Sequence, residues 1–537
     1  MSVAQRPPRS LYFLLSAVVL SAFFFSIFSL EFEGFAERVQ TCAHIRGPDE
    51  HPHPVPPHVH HSQVKTDPEP EPVFCNYCTL SDELCERYGA YNLARSRAYE
   101  GPNAQLKRVL RKARLTKGPI KIGILGGSVS LGLGVTPATN WATLYAAYIR
   151  DTFDVEVELI NGSVGATTSE YMETCLMEHI PEDVDLVIIE LAINDRRFES
   201  LAVAYENLIR AVWELPKKPA IINVQIMALM FDSITMGGDL HTAVAQYYDT
   251  PVVSVRNVLL PYILQSTHVN SSDSALEDYW YHHTPQGIDL RHLGTNGHRL
   301  TADLLKSFTS RVACEGWRED EAASERDPNS VGVWDWAPSP NEGLLPVDNV
   351  LEYLPRQSLF QKFDHSTIMR PAKPFCQTAD GKNHPLKPLP APLSTEGEDG
   401  FRPWRHPARP DKVWLTGRKP GVKVAFKVTA TTLGRIRLTF LRSKTYGLGS
   451  AWCWLDDDRA AGTQMDGWWN VEHMWVLSTY FFKRLVFDGK FYDTPDDAVI
   501  RNKNAEPGDH ILHCEILEDT KDPEGGTEFR IIAIDAL

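Results

Sequence analysis

The sequence is short of positive charge: 54 Lys and Arg stand against 69 Asp and Glu, a formal net charge of −15. Affinity for nucleic acid rests on cations that neutralise phosphates, so this balance argues against a nucleic-acid partner. A composition of 43% hydrophobic, 23% charged and 10% aromatic residues fits neither collagen nor a disordered chain. An even set of cysteines is also lacking; with nine, at least one stays unpaired within the chain. Long apolar runs are scarce, and after Leu30 none approaches the ~18 residues of a membrane-spanning helix, which excludes a polytopic pore. What remains is ample length: 537 residues are enough for two or three folded units.

The one long apolar run, Leu11 to Leu30, is uncharged and 20 residues long, sufficient as a helix for a ~30 Å hydrocarbon core. Arg6 and Arg9 precede it and Glu31, Glu33 and Glu37 follow. The positive-inside rule therefore predicts a cytoplasmic tail (1–10), a transmembrane signal-anchor (11–30) and a type II protein whose folded part is lumenal or extracellular, in the Golgi, elsewhere in the secretory pathway or at the cell surface. A cleaved signal peptide is the rival, but its apolar region is ordinarily ~7 to 15 residues and no clean A-x-A site follows here. Residues 31–74 read as a stalk, because closely spaced prolines and few large apolar side chains disfavour a packed core. Its histidines (His44, His51, His53, His58, His60, His61) recur at no fixed ligand spacing, and no metal or other cofactor is expected. Residues 75–118 form a helical lead-in whose Cys75, Cys78 and Cys85 suit disulfides beyond a membrane better than zinc, with partners left open.

Between residues 119 and 313 short apolar runs alternate with amphipathic segments, as an α/β unit with a parallel sheet requires. The runs IKIGILG from Ile120, VEVELI from Val155, DLVIIEL from Asp185, AIINVQIMAL from Ala220 and PVVSV from Pro251 read as buried strands. Ligands of such sheets bind beyond the carboxyl ends of the strands, and four segments there carry chemistry. Gly126-Gly127-Ser128 follows the first strand: the glycines permit a sharp turn that exposes the hydroxyl, and neither the Walker Lys-Ser/Thr nor the G-x-G-x-x-G spacing is present. Asn161-Gly162-Ser163 follows the second, where Gly162 would bring its N–H close to a developing oxyanion; a plain tight turn is the alternative. Asn194 follows the third strand, as an oxyanion donor or a helix cap. Asp289-Leu290-Arg291-His292 spaces a carboxylate three residues from an imidazole, so that one can hold the other's tautomer.

These four blocks, in this order, resemble the SGNH hydrolase (GDSL-like esterase) superfamily. The resemblance implies a flavodoxin-like α/β/α domain in which Ser128 is the nucleophile and Asp289 and His292 complete the triad. The oxyanion hole would be formed by the N–H groups of Ser128 and Gly162 with the Asn194 amide. Two departures stand out: Gly127 occupies the place of the aspartate in the usual Gly-Asp-Ser, and Ala192 that of the glycine in Gly-x-Asn-Asp. His282, His283 and His298 are alternative imidazoles without the spacing from an aspartate. A reaction based on His292 is expected to fail in acid.

Residues 314–410 read as a Pro-rich linker, and 411–537 as a β-sandwich or jelly roll, with Val422, Val424, Phe426 and Val428 facing one way. Seven of the 13 tryptophans fall between Trp404 and Trp475, where they serve a core or stack on sugar rings. Cys453 and Cys514 are expected to bridge the two sheets. Anchor, stalk, SGNH unit and β domain together resemble membrane-anchored SGNH proteins of fungal secretory pathways. The reading is a serine esterase removing acyl, chiefly acetyl, groups from glycans or similar substrates. The alternatives are a glycan O-acyltransferase with the same Ser and His, and a non-catalytic glycan-binding protein. Asn270 is the expected N-glycosylation site, whereas the sequon at Asn161 is expected to be occupied by the fold.

Overall fold

The structure is a computed structural model describing residues 71–79, 81–231, 233–266, 279–285, 287–324, 354–366, 374–390, 400–407, 409–431, 434–470, 481–487, 498–499 and 505–537. The expected anchor at 11–30, nearly all of the stalk, and Asn270 lie outside the described residues. Among the described residues no helix is long and apolar enough to cross a membrane.

The first sheet contains β1 (Arg97–Tyr99), β2 (Ile120–Gly126), β3 (Val157–Asn161), β4 (Leu186–Glu190), β5 (Ala220–Gln225) and β6 (Val252–Ser254), in the order β1-β6-β5-β4-β2-β3. β2 to β6 are parallel, and β1 pairs antiparallel with β6 at the edge. Every residue of β4 and β5 is buried. Helices cover both faces, which is why these strands read as continuous apolar runs and not as alternating ones. Leu106, Val109 and Leu110 of helix Ala104–Thr116 share one core with Trp141, Tyr145 and Phe308. Leu176 of helix Ser169–His179 and Leu208 of helix Glu199–Trp213 pack in the core that includes Val187 and Ile189. Chain order reverses direction between β2, which turns to β3, and β4 on the other side. Such a switch opens a crevice at the carboxyl ends of the two strands.

The α/β unit is larger than the expected 119–313. The lead-in contributes β1 and helix Ala104–Thr116, and the last helix, Thr295–Ser324, runs past the expected boundary at 313. Disulfides tie these additions down: Cys75 pairs with Cys314 across 239 residues, and Cys78 with Cys85. The two cysteine-bearing clusters with metal-like spacing, Glu71/Cys75/Cys314 and Cys78/Asp82/Cys85, thus have their sulfurs committed to disulfides.

The second unit is a two-layer sandwich. Its strands are β9 (Phe375–Thr378), β10 (Arg402–His406), β11 (Arg409–Gly417), β12 (Lys423–Ala430), β13 (Ile436–Arg442), β14 (Ser450–Leu455), β15 (Thr463–Asp466), β16 (Phe481–Phe487), β17 (Ala498–Val499), β18 (Gly508–Ile516) and β19 (Phe529–Ala536), following the short pair β7 (Tyr281–Thr284) and β8 (Gly287–Leu293) of the first unit. One sheet runs β10-β11-β19-β13-β16-β17 with β9 also on β19; the other runs β12-β18-β14-β15. Val422, Val424, Phe426 and Val428 do face one core, opposite Leu438, Phe440, Phe529 and Ile531. Two expectations change. β9 and β10 both come from the segment read as a linker. Cys453 and Cys514 are bonded but lie directly opposite one another on paired strands β14 and β18, so the bridge is within one sheet and not between the two.

The outer face of the larger sheet packs on helix Ser169–His179. Buried Arg437 donates from Nε to Asp535 (2.5 Å), from Nη1 to Glu173 and from Nη2 to Thr174 Oγ1 (3.1 Å). Asn207 Nδ2 donates to the second Glu173 oxygen at 2.7 Å. Beside this network Cys175 is bonded to Cys376 of β9, and Glu178 accepts the N–H groups of Asn383 and His384.

Candidate active site

Ser128 opens a four-residue helix immediately after β2 and stays half-exposed while its neighbours are buried. The turn has no room for side chains at either preceding position. A Cβ on Gly126 would lie 2.7 Å from Ser130 Oγ, and one on Gly127 2.6 Å from Asn194 Nδ2. A side chain at 127, the aspartate of the resembling family included, would have to displace the Asn194 amide. Ala192, the other departure, is buried with its methyl against Gly238, where a second Cβ would lie 2.8 Å away.

The β7–β8 hairpin brings the base to the serine. His292 Nε2 is 2.8 Å from Ser128 Oγ, and His292 Nδ1 is 2.6 Å from Asp289 Oδ2. Since an ionised carboxylate only accepts, Nδ1 carries the proton and Nε2 presents its lone pair to the serine hydroxyl. Burial raises the Asp289 pKa, but the hydrogen bond and charge of His292, with the Arg291 N–H, outweigh it and hold the carboxyl below its ordinary value. The other histidines stand elsewhere. His298 is fully buried, accepts the Trp141 N–H at Nδ1, and is pushed by burial down to about 4. His282 packs against Gly134.

On the oxyanion side the structure brings Asn194 to the serine and sets Gly162 to another use. Gly162 donates its N–H to Ile124 O of β2 at 3.0 Å, so that group is spent on joining the sheet. Its lack of a side chain answers a different need: a Cβ there would lie 2.5 Å from His179 O. Gly165 and Ala166 are the residues the sequence reading missed. A Cβ on Gly165 would touch the Ser128 Cβ at 3.9 Å, and Ala166 adopts a left-handed φ of 62°. Among the described residues the N–H groups of Ser128, Gly165 and Ala166 meet no protein acceptor. The turn that exposes them is anchored to the next block, because Asn194 Nδ2 donates to Thr167 O at 2.6 Å. Among the described residues its second N–H meets no acceptor, as a donor to an oxyanion would require. Asn194→Ala is expected to lower kcat by ~10² to 10³, the scale of one oxyanion donor, with KM little changed. A loss confined to KM in steady-state kinetics would remove Asn194 from that role.

A buried framework holds these loops. Asp195 accepts the Ser169 N–H at 2.9 Å and, on its other oxygen, the Ser169 hydroxyl and His241 Nε2 (2.8 Å); the His241 ring stacks on Tyr205 with centroids 3.7 Å apart. The Ser130 carbonyl accepts Asn140 Nδ2 (2.9 Å) and Asn161 Nδ2 (2.8 Å), which gives the Asn161 amide a structural task. Ser130 Oγ donates to Glu190 Oε2 at 2.8 Å, while Glu190 Oε1 is buried with no partner. Burial pushes the Glu190 carboxyl up to about 8 against the opposing bonds from Ser130 and Gly127. Between 4.5 and about 8 the folded chain therefore keeps a proton that the unfolded chain has lost, and stability declines as pH rises through that window. Glu190→Gln stays neutral throughout. Its Tm relative to the unaltered chain is expected to climb from about pH 5 to about pH 8, and a pH-independent difference in thermal melts would contradict a neutral Glu190.

No family model matches the sequence, and no curated protein matches it. Solved structures do. A crystal structure of a two-domain esterase active on acetylated mannans, co-crystallised with mannopentaose, matches with a TM-score of 0.55 at 18% identity, covering 83% of this chain and 97% of that one. A second crystal structure of a two-domain esterase active on acetylated mannans matches at 0.54 and 18%, covering 83% and 98%. The likeness spans both units, and the fold is that of a parallel α/β domain followed by a β-rich second domain.

Proposed function

We propose that this chain is a serine ester hydrolase of the SGNH type that removes acyl groups, most simply acetyl, from glycans. The observation that carries the reading is the continuous line from Asp289 Oδ2 through His292 to Ser128 Oγ, with spacings of 2.6 and 2.8 Å, at the crevice between β2 and β4. His292 Nε2 takes the hydroxyl proton as Ser128 Oγ bonds to the ester carbonyl carbon; the oxyanion forms facing the N–H groups of Ser128, Gly165 and Ala166 and the Asn194 amide. The protonated His292 then gives its proton to the departing sugar oxygen as the carbon–oxygen bond breaks. Water repeats the sequence on the acyl-enzyme, releasing the acid and restoring Ser128. The glycan substrate is supported by the fold shared with an esterase active on acetylated mannans.

The setting belongs to the same proposal: a type II membrane protein anchored by residues 11–30, with its catalytic unit in the secretory pathway or at the cell surface. Four disulfides suit an oxidising compartment. Incubating the full chain with an acetylated glycan and an unacetylated one tests the reaction. Free acetate equal to the ester lost is the expected result; acetyl groups appearing on the second glycan, with little free acetate, would make the protein a transferase.

A further inference from the structure

Between the acid and the base of the triad lies a cation that the acyl-transfer chemistry does not use. Arg291 donates its backbone N–H to Asp289 Oδ1 at 3.0 Å, but its guanidinium reaches only a sulfur, with Nε 2.9 Å from Met230 Sδ. A thioether is a weak acceptor, and a guanidinium has five N–H groups to place. Among the described residues no carboxylate or carbonyl receives the others. Asp289, the nearest opposite charge, already spends its oxygens on His292 Nδ1 and the Arg291 N–H. Burial lowers the Arg291 pKa, countered only by the charge of Asp289. A half-buried arginine so poorly served costs stability unless something else answers its charge.

Its surroundings are the loop after β5 and the strand that brings His292 to Ser128. Met230 belongs to the loop after β5, which is held against β8 by Leu229 N–H donating to Leu290 O at 2.8 Å. Phe231 and Ile234 of that loop are exposed, at 43% and 62%. Arg197, in the loop carrying Asn194, reaches the same loop by donating to Thr235 O at 3.0 Å, and Arg196 beside it is exposed. In a chain of net charge −15, Arg291 of the strand that carries His292 and Arg197 of the loop that carries Asn194 thus both reach the loop after β5, with Arg196 beside them in sequence.

We propose that Arg291 receives a carboxylate of the substrate, so that the ester opened by Ser128 sits on an acidic, uronate-bearing glycan. This inference rests on the esterase reading above. The guanidinium is planar and pairs with a carboxylate through two parallel hydrogen bonds, which a hydroxyl of a neutral sugar cannot reproduce. Arg196 and Arg197 add attraction from the loop carrying Asn194, felt mainly at low salt.

The test compares kcat/KM of the full chain for an acetylated uronic-acid oligosaccharide and for the same oligosaccharide with its carboxylates reduced to alcohols. A preference of ~10- to 100-fold for the acidic form is expected, the usual worth of a partly buried charge pair. Arg291→Gln is expected to bring the ratio near unity, and Arg291→Lys to leave an intermediate one. Equal rates on both substrates in the unaltered chain would overturn the inference. So would Arg291→Gln slowing both substrates alike, which would mean that Arg291 acts only on Asp289. A sulfated oligosaccharide preferred over the uronate would overturn the carboxylate assignment. Fluorophosphonate labelling of Ser128 separates the two levels: a chain that labels but shows no preference refutes the acidic substrate alone, whereas one that neither labels nor hydrolyses refutes the esterase itself.

Discussion

Ser128→Ala is expected to abolish fluorophosphonate labelling and to lower ester hydrolysis by ~10⁴- to 10⁶-fold, as loss of a nucleophile does where serine and histidine act as a unit. His292→Ala should be about as damaging, and the two substitutions together little worse than either alone, because the base has nothing to deprotonate once Oγ is gone. Stability separates this from misfolding. The Ser128 hydroxyl is half-exposed and its described side-chain bond is to His292, so removal should shift stability by no more than ~0.5 kcal/mol. Normal hydrolysis by Ser128→Ala would dismiss the mechanism outright. Full activity in His292→Ala, with His282 essential in its stead, would relocate the base.

The largest effect on stability is expected at Arg437. Its guanidinium is the cation between Glu173 of the α/β unit and Asp535 of the sandwich, and Asp535 Oδ2 already lacks a partner. Arg437→Met removes the positive charge and leaves two buried carboxylates facing each other, a loss on the order of 3–5 kcal/mol. Replacing all three charges by apolar residues of similar volume should recover most of that, since the cost lies in an unpaired buried charge and not in the missing attraction. Urea unfolding of the full chain with disulfides intact measures both; a single variant as stable as the parent would show that the network carries no net weight. Activity should fall with it, because Glu173 and Thr174 lie on the helix whose first residue, Ser169, is tied to Asp195 next to Asn194.

How much of this was legible beforehand follows from what each feature depends on. Buried parallel strands leave a local mark, so β2, β4 and β5 stand close to where their apolar runs begin. Ser128, Asn194, Asp289 and His292 could be picked out because each follows a strand or holds a fixed short spacing. Gly162 could not be judged that way: whether its N–H is free depends on how far the pairing of β3 with β2 continues, and it continues one bond too far. The nearest readable signal was the second small pair, Gly165-Ala166, three residues on. Disulfide partners 201 and 239 residues apart leave no local trace. β9 was lost in a proline-rich stretch because it is four residues long and takes its stability from β19. The last helix runs past the expected boundary at 313 since Cys314 and Trp317 pack against the same core as Phe308.

The place of β19 bears on the order in which the protein can be made. It follows every other described strand in the chain, yet it pairs with β9, β11 and β13 at once and delivers Asp535 to Arg437. During synthesis the α/β unit leaves the ribosome first, with Glu173 in place before its partner Arg437, and later Asp535, are made. Cys175 waits about two hundred residues for Cys376, and β9 then waits for the strand that will hold it. The nascent catalytic unit therefore spends most of translation with one face of helix Ser169–His179 uncovered, a natural surface for chaperones and oxidoreductases to hold. A chain interrupted anywhere between His292 and Phe529 would carry Ser128, Asp289 and His292 and still fail to close that face.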